Sequence, residues 1–225
     1  MTTRKFLGTA ALFLCLHPGH WTLPQSAHAA TVRIQEVFYD EIGGDADGLF
    51  TELLGVPGFD LSGWTLVGVN GATGLDYGLI DLTGALIPVD GILVVAGSGT
   101  AGSLLAVRDF VGDSDWQNGP DALQLRNVEG FVVDALQYGD AGLHNAGEGF
   151  PALDVSAGSS LSRDPFGTDT NDNASDFIML TAPTPGTGPS PLVPMVPLPA
   201  GVWMGLALMA VIAAARAIRR RRDAI

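Results

Sequence analysis

The sequence predicts an all-β domain, an antiparallel sandwich of about 120–150 residues. Three observations carry this. Between positions 31 and 181 the apolar residues alternate with a period of two rather than 3.6. Turn chemistry recurs along the same stretch: Gly43-Gly44, Asn70-Gly71, Asp90-Gly91, Asn118-Gly119-Pro120 and Gly139-Asp140. No ten-residue window there holds a helical apolar stripe free of Gly or Pro.

The elements follow in chain order. Residues 31–39 (TVRIQEVFY) alternate Val32 and Ile34, then Val37 and Phe38, with one irregularity. Further β-rich runs fall at 50–54, 64–69, 92–96, 122–126, 131–138 and 177–180. At 225 residues the chain has room for one ordinary domain plus terminal segments. Its 30 Gly and 14 Pro have no period, which excludes collagen, and 47% hydrophobic residues is too many for a disordered chain. One Cys excludes a disulfide framework or a Cys-based zinc site.

Charge divides the chain into three. Arg4 and Lys5 open it, and Arg216 with Arg219, Arg220, Arg221 and Arg222 close it. Between positions 30 and 190 only Arg33, Arg108, Arg126 and Arg163 oppose 23 acids, a charge of −19. Such a field repels phosphate backbones, so nucleic acid is not an expected partner.

Residues 1–29 read as a signal peptide. Arg4 and Lys5 precede an 11-residue apolar run, and Ala27-His28-Ala29 is an A-x-A cleavage site, so signal peptidase is the expected first partner. The run is too short to span about 30 Å of hydrocarbon. Cys15 follows the bulky Leu14, which argues against a lipoprotein signal. Cleavage after Ala29 leaves His144 as the sole histidine. Residues 182–195 form a Pro-rich linker, with Pro183, Pro185, Pro189, Pro191 and Pro194 favouring an extended, semi-stiff spacer. Residues 196–215 carry no charge, and 20 residues at 1.5 Å each reach about 30 Å, one membrane crossing. The terminal arginines keep that end cytoplasmic and the acidic middle outside.

The tail resembles a known sorting signal. Val196, Pro197, Leu198, Pro199 and Ala200, then Gly-Val-Trp203, an apolar span and the Arg cluster are similar to the VPLPA type of PEP-CTERM signal. The resemblance implies an exosortase-like processing enzyme as partner, cleaving near the short motif, and a transient inner-membrane anchor before release to the cell surface or beyond. Spacing alone supports only a permanent anchor.

A second resemblance covers residues 30–181. Ile34-Gln-Glu-Val37, Phe50-Thr-Glu-Leu53, Asp60-Leu-Ser-Gly-Trp64-Thr-Leu66, Gly91-Ile-Leu-Val-Val95, Asp121-Ala-Leu-Gln-Leu125, Gly130-Phe-Val-Val-Asp134, Ser160-Leu-Ser-Arg163 and residues 169–177 run in the order of a lamin-tail domain. Thr184-Pro-Gly186 matches that family's usual ending. The resemblance implies an immunoglobulin-like β-sandwich serving as an interaction or attachment module. In bacteria such domains sometimes accompany hydrolases; this chain has no room for one beside the sandwich.

Single residues have structural readings. Trp64 is expected to seat its ring in the core, worth about 2–3 kcal/mol. Glu52, between Phe50 and Leu53 in a strand, needs a partner if it faces inward. Arg163, one base among many acids, is expected to pair with a carboxylate such as Glu52 or Asp176. For metals, Asp169, Asn171, Asp172, Asn173 and Asp176 place several oxygens in one loop, and calcium takes six to eight. Asp40, Glu41, Asp45 and Asp47 make a second acidic loop, with Asp113 and Asp115 a weaker third. The EF-hand template fails for want of its Gly and Glu. Turn-forming Asp and Asn explain the same residues without a metal.

Catalysis has little support. His144 stands alone, no G-x-S-x-G elbow occurs, and Gly97-Ser-Gly99 lacks a strand–helix context for phosphate. Asn173-Ala-Ser175 is a sequon. The expected protein is a non-catalytic exported module, partnered by extracellular polysaccharide or a surface protein. The alternatives are a calcium-dependent adhesion or ligand-binding domain and a small secreted hydrolase.

Overall fold

A computed structural model describes residues 32–43, 48–140 and 142–187. The expected signal peptide, the sorting motif, the 196–215 apolar run, and Asp45 and Asp47 lie outside the described residues. In chain order the elements are β1 (Val32–Phe38), β2 (Phe50–Gly55), β3 (Thr65–Asn70), β4 (Asp76–Asp81), β5 (Ile92–Ala96) and α1 (Gly102–Val107). They continue with β6 (Phe110–Val111), β7 (Asp121–Arg126), β8 (Val132–Tyr138), β9 (Ser160–Ser162), α2 (Asn173–Asp176) and β10 (Ile178–Leu180). They form two sheets, ordered β10-β9-β1-β2-β5-β6 and β4-β3-β7-β8. Every pairing within them is antiparallel except β5 with β6. The architecture is all-β, as expected of a β-sandwich. No helix among the described residues is long and apolar enough to cross a membrane.

Period two explains where the core sits. Alternate residues of a strand face opposite sides, so Leu53 joins the main core while its neighbour Leu54 joins a second cluster on the outer face of β2. The main core unites Val32, Ile34 and Val37 of β1 with Leu66 of β3, Leu123 and Leu125 of β7 and Leu136 of β8. Tyr39 and Tyr138 stack at its edge, ring centroids 4.4 Å apart.

Two indoles serve this core: Trp116 lies wholly inside it, whereas Trp64 packs against it only partly buried. Trp116 is 2% exposed and donates its Nε1–H to Thr51 Oγ1 at 2.8 Å. It comes from the irregular segment between β6 and β7, which no periodicity marks. Trp64 is half-buried and meets Phe59 edge-on at 5.5 Å, because it lies in the turn that enters β3.

β4, β6 and β9 were not expected from the pattern. β4 carries Gly78 at its middle, and a Cβ there would stand 3.2 Å from the Trp116 ring. The indole fills the place a β4 side chain would take, so the strand's apolar period is broken by a residue from elsewhere. β6 and β9 have two and three residues, too few for any period.

Irregular chain covers both outer faces. On the six-stranded sheet Phe38, Phe50, Leu54, Ile92, Val94 and Ala96 meet Leu104 of α1. On the four-stranded sheet Val67, Val69 and Ala122 lie against Ala146.

The two indoles should separate on mutation. Trp116→Ala is expected to cost about 3–5 kcal/mol, from the lost burial and the orphaned Thr51 hydroxyl, and Trp64→Ala markedly less. Urea unfolding midpoints of the two variants check this; equal losses would contradict the assignment.

Candidate functional site

The densest group of buried charge lies where the two sheets meet at one side. It starts from an extra residue in β1. Ile34 pairs with Leu53 and Glu36 with Glu52, which leaves Gln35 as a bulge. Beside the bulge, side chains meet the Ile34 N–H and C=O. Asp134 of β8, in the other sheet, accepts the Ile34 N–H on Oδ2 at 2.5 Å. Arg163, just after β9, donates Nε–H to the Ile34 carbonyl at 3.0 Å. Its own N–H bonds the Gln35 carbonyl at 2.9 Å.

The Arg163 side chain is fully buried and its donors are distributed over four groups. Nη2 meets Asp134 Oδ1 at 2.8 Å, and Nη1 meets Asp176 Oδ2 at 3.0 Å and the Thr168 carbonyl at 2.9 Å. Asp169 stands 3.6 Å away and Glu148 3.8 Å. The guanidinium also lies over the Phe177 ring, 4.4 Å from its centroid. One planar cation thus faces four carboxylates, a geometry that suits arginine's fork.

Those carboxylates titrate differently. Burial raises Asp134, against the pull of Arg163 and the Ile34 N–H. Burial also acts to raise Asp176, but the Thr170 hydroxyl and N–H, with Arg163, outweigh it and hold the group low. Glu148 is pushed up to about 8, by burial first and then by Asp134 and Asp169, against Arg163. Its buried Oε2 accepts no hydrogen bond, and the Arg163 guanidinium at 3.8 Å is too far to donate one, so a charge there would be poorly met. The neutral form is therefore the one that fits at pH 7.

Of the two partners expected for Arg163, Asp176 is present and Glu52 is not. Glu52 lies under residues 184–186, where Oε1 accepts the Gly186 N–H. From sequence, neither Asp134 nor Glu148 is an expected partner of Arg163; Asp134 figures there only as the end of the Gly130–Asp134 stretch. Asp134 had one signal, a lone acid in the alternating run 131–138; Glu148, in a Gly-rich loop, had none.

The five oxygen-bearing residues of the 169–176 loop do not share one centre. Asn173 is fully buried and pins three backbones: Oδ1 accepts from Gln137 at 2.8 Å and Glu148 at 2.9 Å, and Nδ2 donates to the Ala135 carbonyl at 2.8 Å. Asp172 accepts the Phe150 N–H and the Ser175 hydroxyl. Asn171 takes a left-handed φ of 58°, with its N–H on Asp169 Oδ1. Asp176 serves Thr170 and Arg163. Among the described residues, the acidic oxygens that come within 4.8 Å of one another are those of Asp134, Glu148 and Asp169. Only Asp169 belongs to both sets. His144 is exposed, its ring against Gly74 and its N–H on the Gly71 carbonyl.

Compared with known proteins, the chain matches no family model, and no curated protein matches it either.

Removing the cation should be severe. Arg163→Ala leaves Asp134 and Asp176 buried without a counter-charge and is expected to cost about 3–5 kcal/mol. Arg163→Lys should restore little, because an ammonium cannot serve both carboxylates and both carbonyls. Chemical denaturation of the two variants checks this, and full rescue by Lys would show that charge alone matters.

Proposed function

We propose that the protein is an exported bacterial surface module that binds a partner and carries out no chemistry. In this reading the sandwich is immunoglobulin-like, of the lamin-tail type. The tail is a VPLPA-type sorting signal processed by an exosortase-like enzyme, and the module works at the cell surface or outside the cell. A neutral extracellular polysaccharide or a surface protein with a basic face suits it best.

The observation that supports this most is how the arginines are used. Arg163 and Arg33 are buried. Arg126 forms a two-point pair with Asp76 at 2.7 and 2.9 Å, and Arg108 donates to the Gly97 carbonyl. The four bases of the domain are thus committed to internal contacts, and the surface presented outward is dominated by acid. A surface of that sign excludes polyanions by repulsion and attracts cationic or cation-bridged partners.

Processing gives the direct test. Mass spectrometry of the material released from the surface should find an N-terminus at Ala30 and a C-terminus near residues 196–200. Intact chains recovered from the cytosol would overturn the proposal.

A calcium-dependent form of the same role is favoured by Glu148. Its unpartnered buried oxygen, with those of Asp134 and Asp169, offers three acidic ligands, which a cation would share with Arg163. On this reading millimolar calcium raises the melting temperature of the exported form, and Glu148→Gln abolishes the rise. An unchanged melting temperature would leave the cation-free reading alone.

A further inference from the structure

Residues 182–187, which composition assigns to the linker, turn back over the outer face of the six-stranded sheet. Beneath them Glu36 of β1 and Glu52 of β2 stand directly opposite each other, both 1% exposed. Glu36 is saturated. Its Oε1 accepts from the Ser160 hydroxyl at 2.6 Å and the Thr184 N–H at 2.9 Å, and its Oε2 from the Thr184 hydroxyl at 2.6 Å. Glu52 has one donor, the Gly186 N–H, while its buried Oε2 has none.

Residue 186 must be glycine for this seat to form. Its φ is 72°, and a Cβ there would stand 2.8 Å from the Val107 Cβ of α1. Hollows flank the segment on both sides. One of about 350 Å³ is lined by Phe38, Phe50, Leu104, Pro183 and Pro185. The other, of about 230 Å³, is lined by Ser162, Ile178, Thr184 and Thr187. The hydrogen bonds that hold the segment to the sheet end on the two carboxyl groups.

We propose that residues 183–187 are a latch over the Glu36–Glu52 pair, closed while Glu52 holds a proton, whose opening frees the start of the Pro-rich stretch and leaves both sheets folded. The inference does not depend on where the protein resides.

The charged groups facing Glu52 are all acids: Glu36 from β1, Asp109 from the segment between α1 and β6, and Asp90 from the turn before β5. α1 and the latch itself carry no charge. Arg108, next to α1, is turned to the Gly97 carbonyl. Burial first, and then these acids, push Glu52 up to about 8, against the Gly186 N–H. Once the latch lifts, Glu52 meets water and regains an ordinary carboxyl pKa near 4.5. Between those two values the open form holds fewer protons than the closed one. Opening therefore grows about tenfold per pH unit from about pH 4.5 to about pH 8 and levels off above that.

Hydrogen exchange of the full chain in detergent micelles, read by mass spectrometry and corrected for intrinsic rates, tests this. From about pH 5.5 to about pH 7.5 the protection of the Thr184 and Gly186 amides should fall about a hundredfold, while β3 and β7 keep theirs. Glu52→Gln, neutral at every pH, should remove the pH dependence. Gly186→Ala should lose the protection at both pH values without affecting β3 and β7. Flat protection in the natural chain, the same fall in Glu52→Gln, or a loss shared by β3 and β7 would overturn the latch. Should Glu52→Gln not fold, the natural chain's pH profile and Gly186→Ala decide it.

Discussion

A single buried guanidinium governs how the two sheets come together. A charge withdrawn from water has to be met on every side, and the groups that meet Arg163 come from β1, β8, α2 and the loop before it. Each demand has a backbone consequence. The bulge at Gln35 exists where Ile34 must offer its carbonyl to Arg163 and its N–H to Asp134. Asp134 then ties β8 to β1, although the two strands belong to different sheets. The short α2 brings Asp176 to the cation and Phe177 beneath it.

The rest of the polar interior serves closure of the outer faces. Apolar clusters on the outside of each sheet need covering, and the chain covers them with loops rather than long helices. Loops carry backbone groups that the ladder cannot satisfy, so buried side chains satisfy them. Asn173 does so for the 146–149 loop, which lies on Val67, Val69 and Ala122. Glu36 and Glu52 do so for residues 184–186. Two glutamates facing each other on adjacent strands would be a liability in water-free surroundings. They are tolerated because one accepts three hydrogen bonds and the other keeps its proton.

Much of this was legible in the residues and some could not be. The six β-rich runs beyond position 40 needed no tertiary information, since alternation alone separates their two faces; 50–54 and 92–96 sit within a residue of β2 and β5. The Asp176 partnership was accessible because an isolated base near a loop rich in acids has few alternatives. Asp134 was not, because its use depends on a bulge that only sheet pairing creates. Trp116 hides in an irregular segment and takes the place of a β4 side chain at Gly78, so neither residue betrays the other in a one-dimensional pattern. The 169–176 loop shows the converse: its oxygens look alike in the sequence, yet Asn173 is spent on backbone bonds, Asp176 on Thr170 and Arg163, and Asp169 stands farther from the guanidinium.

The environment of Asn173 also bears on how the polypeptide can be produced. Asn173-Ala-Ser175 is an acceptor triplet for oligosaccharyl transfer, and its amide nitrogen is the donor that holds the Ala135 carbonyl in a site closed to solvent. A sugar attached there during translocation in a eukaryotic host would have to be accommodated where no space exists. Such a host would therefore yield chains unable to complete β8 and its neighbouring loop, whereas bacterial secretion leaves the triplet unmodified.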